Sequence, residues 1–308
     1  MSVEWQSEKP RHALIERLVA ERPVLTDGAW GTELFARGLG AGECPDVWNV
    51  EFPDCVLEVG RAYVEAGSRV ILTNTFGANR IALERHGLHH RTREINQAGV
   101  EISLRAASGR ALVFAAIGPS GKLLGMGEAT AGELEEAFVE QAEVLAAAGA
   151  GALVIETMSD LDEARLAVAA ARATGLPVVA CMAFDSGKMK TQTMMGTTAE
   201  EAAKALTEAG ADVIGANCGQ GIDNYLQLYK SLAAATDRPI WLKPNAGAPQ
   251  LAGDRTVYTT TPDEFAQAAS SLAEAGATFI GGCCGTTPAF IHALARVLIR
   301  GSGKIPCA

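Results

Sequence analysis

Two adjacent cysteines near the C-terminus are the residues whose types and spacing point most clearly to chemistry. Cys283 and Cys284 lie between glycines in the segment GGCCGT, directly after the apolar run 277–280. Neighbouring side chains of a regular strand point to opposite faces, but glycine lets the backbone bend so that both thiols face one point. A third thiol, Cys218, follows the apolar run 212–215. Three thiolates with one open position predict a catalytic or substrate-binding zinc, because structural zinc normally takes four protein ligands.

Other interpretations of these thiols stay open at this point. Cysteine is among the most buried residue types, so Cys218 taken alone also fits a strand position in the core. The neighbouring thiols of Cys283 and Cys284 could instead form a disulfide that acts as a redox switch. The choice among these interpretations depends on the elements that position the three thiols.

Eight short apolar runs alternate with amphipathic segments along the chain, which is the pattern of an α/β fold, a single (β/α)8 TIM barrel. The runs lack polar alternation, as expected for parallel strands that are buried on both faces. A doubly wound open sheet is the structural alternative. Strands are predicted at 24–29, 69–75, 111–118, 152–157, 177–184, 212–217, 239–244 and 278–282. Helices are predicted at 55–65, 92–107, 132–148, 160–173, 199–209, 223–235, 262–275 and 288–299.

The alternation shows no domain boundary. We expect one domain over residues 1–308, with a barrel core of about 22–300 and an N-terminal helical extension in the first 20 residues. Segment 249–261 is predicted to be a longer irregular loop. The tail 301–308, which contains Cys307, is predicted to be frayed.

Composition and charge exclude several classes of protein. The 308 residues are 48% hydrophobic and 20% charged, which is typical of a globular chain. The formal net charge of -10 argues against nucleic-acid or acidic-membrane partners, because both favour basic surfaces. No apolar run approaches the ~20 residues of a membrane helix, and the polar segment 1–11 lacks the apolar core of a secretory leader. We therefore expect a cytoplasmic protein whose cysteines stay reduced.

Polar and special residues collect at the C-terminal ends of the predicted strands. In a barrel these ends share one face, which is where active sites of this architecture are built. The sixth and eighth strands lie two apart around the ring, so Cys218 can reach the same metal as Cys283 and Cys284. The other residues that we predict at this face are Asp27, Gly28, Thr75, Phe76, Glu156 and Asn217.

These residues and their order resemble the zinc-dependent homocysteine S-methyltransferases, a family that includes betaine-homocysteine methyltransferase and the homocysteine-binding barrel of cobalamin-dependent methionine synthase. The resemblance covers nearly the whole chain. It implies transfer of a methyl group to the thiol of homocysteine, giving methionine, with Cys218, Cys283 and Cys284 as ligands of Zn²⁺. Its most specific parts are the motifs DGA (27–29), TNTF (73–76), ET (156–157), NC (217–218) and GGCCGTTP (281–288).

The resemblance also implies the substrate contacts. Asp27 and Glu156 match positions that hold the amino group of homocysteine, and carboxylates suit this role because they form charge-assisted hydrogen bonds to an ammonium. Backbone amides near Gly28 and Thr75 would meet the substrate carboxylate. Phe76 and Asn217 belong to motifs that carry the resemblance, and we include both in the expected substrate-binding set.

The sequence leaves the methyl donor open between a small onium compound such as betaine and methylcobalamin on a separate corrinoid protein. A quaternary ammonium is expected to lie against aromatic faces. Thr157 occupies a position where the animal betaine enzymes have tyrosine, whereas segments 245–247 and 256–258 resemble the methionine-synthase barrel. The expected partners are homocysteine and this donor, and a homo-oligomer is also open. The aromatic candidates for donor contact are Trp30, Trp48, Phe76 and Tyr258.

Two functions from other classes complete the alternatives. A protein that senses metal or redox state through its thiol cluster would exchange metal or form a disulfide without methyl transfer. An unrelated barrel enzyme, such as a Schiff-base aldolase, would need a reactive lysine, for which Lys243 on the seventh predicted strand is the candidate.

Overall fold

The computed structural model describes residues 12–252 and 255–299 of the chain. At its centre, eight parallel strands form a barrel that is surrounded by helices. The barrel strands are β1 (Val24–Leu25), β2 (Val70–Leu72), β3 (Leu112–Ile117), β4 (Ala152–Met158), β5 (Val178–Met182), β6 (Val213–Gly221), β7 (Ile240–Asn245) and β10 (Phe279–Ile280). Two further strands, β8 (Gln250–Ala252) and β9 (Arg255–Val257), form a separate hairpin.

The barrel closes between its first two strands through a single bridge. β1 pairs in parallel with β10, with Val24 opposite Phe279, and the order continues β10–β7–β6–β5–β4–β3–β2 around the ring. Thr26, directly after β1, forms a parallel bridge with Val70 of β2. The predicted (β/α)8 barrel is thus confirmed, and the doubly wound alternative is wrong.

Large side chains fill the barrel interior. Trp241 of β7 is fully buried between Phe114 and Phe279, with ring-centroid distances of 6.2 Å and 5.1 Å. Every residue of β5 is buried, as expected for a strand that is covered on both faces. Because the interior is packed, a substrate can reach this fold only at the ends of the strands.

The helices alternate with the strands and cover the outside of the barrel. Their bounds are α1 (Ala13–Glu21), α2 (Trp30–Ala36), α3 (Trp48–Glu51), α4 (Pro53–Ala66), α5 (Arg80–Glu84), α6 (Thr92–Ala107), α7 (Ala131–Ala147), α8 (Leu161–Ala173), α9 (Ala199–Ala209), α10 (Tyr225–Ala235), α11 (Pro262–Ala275) and α12 (Pro288–Leu294). A π-helical turn, Ala295–Ile299, follows α12.

Local sequence explains where these helices begin. At α7 the Thr130 hydroxyl accepts a hydrogen bond from the Glu133 amide, and the Glu133 carboxylate accepts one from the Thr130 amide. The same capping box begins α9 and α11. Asp160 caps α8, as predicted. The predicted bounds of α6, α9 and α11 agree with the structure residue for residue.

Two regions differ from the predictions. Segment 249–261 was predicted to be an irregular loop, but it contains the β8–β9 hairpin, in which Gln250 pairs with Val257. The short helices α2, α3 and α5, which lie in the connections after β1 and β2, had no counterpart in the prediction. The predicted N-terminal helix is observed from Ala13, and segments 1–11 and 300–308 lie outside the described residues. Within the described ranges, no helix is long and apolar enough to cross a membrane.

Candidate metal and substrate site

Three thiols converge at the C-terminal face of the barrel. The sulfur atoms of Cys218, Cys283 and Cys284 all lie within 4.8 Å of one another, and those of Cys218 and Cys284 are 3.8 Å apart. A tetrahedral zinc with Zn–S distances of about 2.3 Å separates its sulfur ligands by about 3.8 Å. Among the described residues, this is the one group of three or more potential ligands that could hold a metal ion. The spacing therefore fits a shared metal, and it brings together the three cysteines that the sequence predicted.

The backbone of β6 bends sharply to bring Cys218 to this point. Cys218 has φ 59° and the following Gly219 has φ 67°, so two successive residues adopt the left-handed conformation. This conformation is uncommon for a residue with a side chain. The pairing of β6 with β7 shifts its register after Asn217, and the Tyr225 hydroxyl donates a 2.7 Å hydrogen bond to the Cys218 carbonyl. The end of β6 is thus a fixed bend.

Glycines allow the end of β10 to run directly against the end of β1. A Cβ atom on Gly281 would overlap the Thr26 hydroxyl and lie 2.6 Å from the Asp27 carbonyl oxygen. A Cβ atom on Gly282 would overlap the Thr286 side chain. The Thr286 hydroxyl donates a 2.7 Å hydrogen bond to the Cys283 carbonyl and closes the turn that presents both thiols. The glycines of the GGCCGT segment are therefore required by close approach.

Each of the three thiols has a raised pKa when no cation is present. The adjacent thiol of Cys218 and burial raise the pKa of Cys283 above its usual range. For Cys218, the Cys283 thiol favours the thiolate, but Cys284 and burial outweigh this effect and raise the pKa to about 11. A bound metal ion deprotonates a coordinating thiol outright. The cluster is thus suited to bind a metal as a trio of thiolates.

Asp27, two residues after β1, is completely buried. One carboxylate oxygen accepts a 2.5 Å bond from the Lys243 ammonium. The other accepts bonds of 2.7 Å from the indole nitrogen of Trp30 and from the backbone amide of Leu72. Asp27 therefore joins β1 to β7, α2 and β2. Its predicted contact with the amino group of homocysteine stays a prediction.

Glu156 is a second buried carboxylate, at the end of β4, with an exposed fraction of 9%. Burial raises its pKa to about 7, and the nearby Lys243 ammonium opposes this shift only in part. Among the hydrogen bonds between described residues, the one to its carboxylate is a long contact of 3.5 Å from the Asn217 side chain. Glu156 thus keeps acceptor capacity for a ligand.

Asn217 connects the ends of β4 and β6. Its side-chain oxygen accepts a 2.7 Å bond from the Thr157 amide, and its side-chain nitrogen donates a 2.7 Å bond to the Thr157 hydroxyl. The same nitrogen lies 3.8 Å from the Cys283 sulfur. Asn217 is fully buried, so the structure places this predicted substrate-binding residue as a bridge beside the thiols.

The loop after β2 is held by buried amide side chains. The Gln141 side chain donates a 2.8 Å bond to the Thr75 carbonyl, and Asn49 donates a 2.7 Å bond to the Asn74 carbonyl. Among the described residues, no hydrogen bond engages the backbone amides of Thr75, Phe76 or Gly28. These amides include the ones that we predicted to meet a substrate carboxylate.

The four aromatic candidates for donor contact occupy different environments. Trp30 and Trp48 are buried, and the Trp30 indole is bonded to Asp27. Phe76 is 40% exposed. Tyr258 packs on Gly285 next to the thiols, and burial together with the Cys284 thiol raises the pKa of its hydroxyl. Phe76 and Tyr258 are therefore the two candidates that have accessible surface.

The sequence indicated neither the partner of Lys243 nor the paired contact of Asn217 with Thr157. A lysine within an apolar strand that is buried on both faces requires a counter-charge, because an unpaired buried charge is very costly. That signal was present in the segment WLKPN (241–245), but it does not identify Asp27 as the partner. Nothing in the residue pattern predicted that the backbone of Thr157 adopts the left-handed conformation, with φ 61°.

Comparison with known proteins assigns this site to a family. The family model of homocysteine S-methyltransferases matches residues 24–298. The chain is 33% identical to the methionine synthase of Mycobacterium tuberculosis (strain ATCC 25618 / H37Rv) over 301 residues, which is 91% of this chain and 25% of that protein. It is 32% identical to the methionine synthase of Mycobacterium leprae (strain TN), covering 95% of this chain and 26% of that protein. The chain thus spans about a quarter of the length of these curated relatives.

A solved structure supports the same fold. The homocysteine methyltransferase MmuM from Escherichia coli, in its metallated form, superposes with a TM-score of 0.76 at 24% sequence identity, and the match covers 92% of this chain and 99% of that chain. The family match extends over nearly the whole barrel and includes all three grouped cysteines. The chain therefore belongs to the homocysteine S-methyltransferase family of enzymes.

Proposed function

We propose that this protein transfers a methyl group to the thiol of homocysteine, giving methionine, and that Cys218, Cys283 and Cys284 hold the Zn²⁺ that this reaction uses. The observation that carries the proposal is the convergence of three thiols within 4.8 Å of one another at the end of a barrel of this family. Zn²⁺ held by these three thiolates would deprotonate a coordinating substrate thiol and keep it nucleophilic.

The residues around the thiols suit the rest of the substrate. The buried Glu156 carboxylate accepts hydrogen bonds from the α-ammonium of homocysteine, which is a charge-assisted contact. The backbone amides near Gly28 and Thr75 donate to its carboxylate. Asn217 keeps the ends of β4 and β6 in register, so the distance between the ammonium contact and the thiol cluster is fixed. Such positioning matters because the sulfur must meet the donor methyl group in line.

Two donors are consistent with the site. Phe76 is exposed, and Tyr258 lies beside Cys284, so both can contact a small onium compound such as betaine through their ring faces. The relatives are named methionine synthase, which makes methylcobalamin on a corrinoid protein the second candidate. A cytoplasmic location fits either donor, because the thiols must stay reduced.

The two functions from other classes are less well supported. A thiol sensor leaves the buried, underbonded carboxylate of Glu156 without a role. A Schiff-base enzyme requires a neutral lysine, whereas Asp27 holds Lys243 as an ammonium. Burial opposes the charge on Lys243, but the carboxylates of Asp27 and Glu156 outweigh that effect and raise its pKa.

Methionine formation by the zinc-loaded protein tests the proposal directly. Homocysteine is supplied with betaine, S-methylmethionine or methylcobalamin in parallel reactions, and zinc content is measured on the same samples. Cys284→Ser is expected to lose both metal and turnover, whereas Cys55→Ser, outside the thiol group, is expected to keep both. Full activity of Cys284→Ser with full zinc content would contradict the mechanism. If no donor is used although homocysteine binds, a corrinoid partner is required.

A further inference from the structure

Lys243 is a buried cation that the proposed mechanism does not use. Its side chain lies on β7 with an exposed fraction of 2%, and its ammonium is bonded to Asp27. Burying an ammonium and a carboxylate has a large desolvation cost, which their attraction offsets only when the geometry is good and the remaining bonding capacity is satisfied. Here the carboxylate meets that condition, because it also accepts bonds from Trp30 and Leu72.

The buried charges of Lys243, Asp27 and Glu156 do not balance. Lys243 is attracted to two carboxylates, Asp27 and Glu156, but among the described residues its ammonium is hydrogen-bonded only to Asp27. The Asp27–Lys243 pair is neutral as a unit. Glu156 is therefore the uncompensated one of the two carboxylates, and the side chain of Asn217 is its one hydrogen-bond donor among the described residues.

We propose that Lys243 is a specificity-determining residue: by pairing with Asp27, it leaves the Glu156 carboxylate available to the substrate and so selects thiols that carry an α-ammonium. This inference rests on the proposed function and deepens it. It differs from direct recognition of the ammonium by Asp27, because in this arrangement Asp27 acts only through Lys243. Lys243 then acts indirectly, through the charge that it pairs with Asp27, and the Glu156 carboxylate is the group that touches the substrate.

The two alternative roles of Asp27, pairing with Lys243 and direct recognition of the substrate ammonium, predict opposite results in a cycle of variants. Asp27→Asn keeps the shape of the side chain but releases Lys243, whose ammonium then pairs with Glu156 and occupies the ammonium site. Homocysteine binding is expected to weaken roughly a hundredfold, as is typical when a buried charge pair is broken. Asp27→Asn/Lys243→Met removes both charges and leaves Glu156 uncompensated again. Binding is therefore expected to recover to within about tenfold of the wild type.

Calorimetry measures the binding of two thiols to the zinc-loaded protein: homocysteine, and 4-mercaptobutanoate, which has the same thiol and carboxylate but no ammonium. The wild type and the double variant are expected to prefer homocysteine, and Asp27→Asn is expected to lose that preference. Lys204→Met, an exposed position on α9, is the matched control and is expected to leave both affinities unchanged. Zinc content and thermal unfolding are recorded for every variant.

Failure of the double variant to recover homocysteine binding would overturn the inference, because direct recognition by Asp27 predicts that result. Equal affinity of the wild type for the two thiols would overturn it as well, and that measurement does not depend on any variant folding. If Asp27→Asn/Lys243→Met does not fold, Asp27→Asn/Lys243→Gln provides the same charge change. Absence of methyl transfer by the wild type with every donor, a methylated corrinoid protein included, would reject the proposed function, while the binding cycle would still decide the role of Lys243.

Discussion

Asn217 and Thr157, which are 60 residues apart in the sequence, face each other through two hydrogen bonds of 2.7 Å. Each residue is the immediate neighbour of a residue of the proposed site, since Glu156 precedes Thr157 and Cys218 follows Asn217. Thr157 has φ 61°, a conformation that costs of order 1–3 kcal/mol for a residue of this kind. The pair therefore holds a strained backbone and fixes the carboxylate relative to the thiol cluster.

Asn217→Ala is expected to release Thr157 and to weaken homocysteine binding by about tenfold, with a loss of stability of about 1–3 kcal/mol from the unsatisfied buried groups. The affinity for homocysteine should fall while the zinc content changes little, because the cysteines remain. Calorimetry and thermal unfolding measure the two effects. Asn224→Ala, an exposed position before α10 whose side chain makes no cap bond, is the matched control. Unchanged homocysteine affinity in Asn217→Ala would contradict the bridging role.

Metal removal is expected to lower both activity and stability. A metal that binds only the folded state stabilises it by mass action, so chelation should lower the unfolding temperature. One zinc ion per chain should be released, and its loss should be prevented by excess Zn²⁺. Elemental analysis before and after dialysis against a chelator measures the stoichiometry. A protein that retains its unfolding temperature and turnover after complete zinc loss would contradict the predicted site.

Gly281→Ala tests the close approach of β10 to β1. The added methyl group would overlap the Thr26 hydroxyl and crowd the Asp27 carbonyl, so we expect a loss of stability of about 1–3 kcal/mol and a displaced thiol pair with weaker metal binding. Gly31→Ala on α2 is the control, because a Cβ atom there meets nothing within 4 Å. That substitution is expected to stabilise the protein by about 0.5–1 kcal/mol. Denaturant unfolding compares the two variants, and equal stability would contradict the overlap.

The barrel and the thiol cluster could be predicted from the sequence because both depend on local patterns. Apolar runs marked the eight strands, and prolines and acidic residues marked helix starts such as Pro262 and Asp160. The glycines around Cys283 and Cys284 indicated that the chain bends there. Once eight strands are ordered around a ring, Cys218 must lie near the pair.

The pairing of side chains within the site could not be predicted in the same way. Asp27 and Lys243 are 216 residues apart, and nothing local to either one identifies the other. The β8–β9 hairpin was missed because each of its strands has only three residues, too few to show an alternating pattern. Contacts of this kind follow from the closed barrel as a whole, which brings β1 and β7 to the two sides of β10.

Because of Glu156, we expect stability and substrate binding to change in opposite directions as pH rises. Its pKa in the folded protein is about 7, raised by burial from an ordinary value near 4.5. The folded state therefore binds a proton more tightly than the unfolded state, so the contribution of Glu156 to stability falls as pH rises from about 4.5 to about 7. If Glu156 binds the substrate ammonium as proposed, homocysteine binding uses the ionised carboxylate and should instead strengthen as pH rises through about 7.

Glu156→Gln separates these effects, because glutamine keeps the size of the side chain and cannot ionise. The variant should lose the pH-dependent increase in homocysteine affinity, with binding at pH 8 weaker by roughly a hundredfold, and it should gain stability at that pH relative to the wild type. Calorimetry and thermal unfolding between pH 5.5 and pH 8.5 give both profiles. Glu135→Gln, an exposed position on α7, should keep the wild-type profiles. A Glu156→Gln protein that still shows the wild-type increase in affinity would assign that titration to another group and remove Glu156 from the ammonium site.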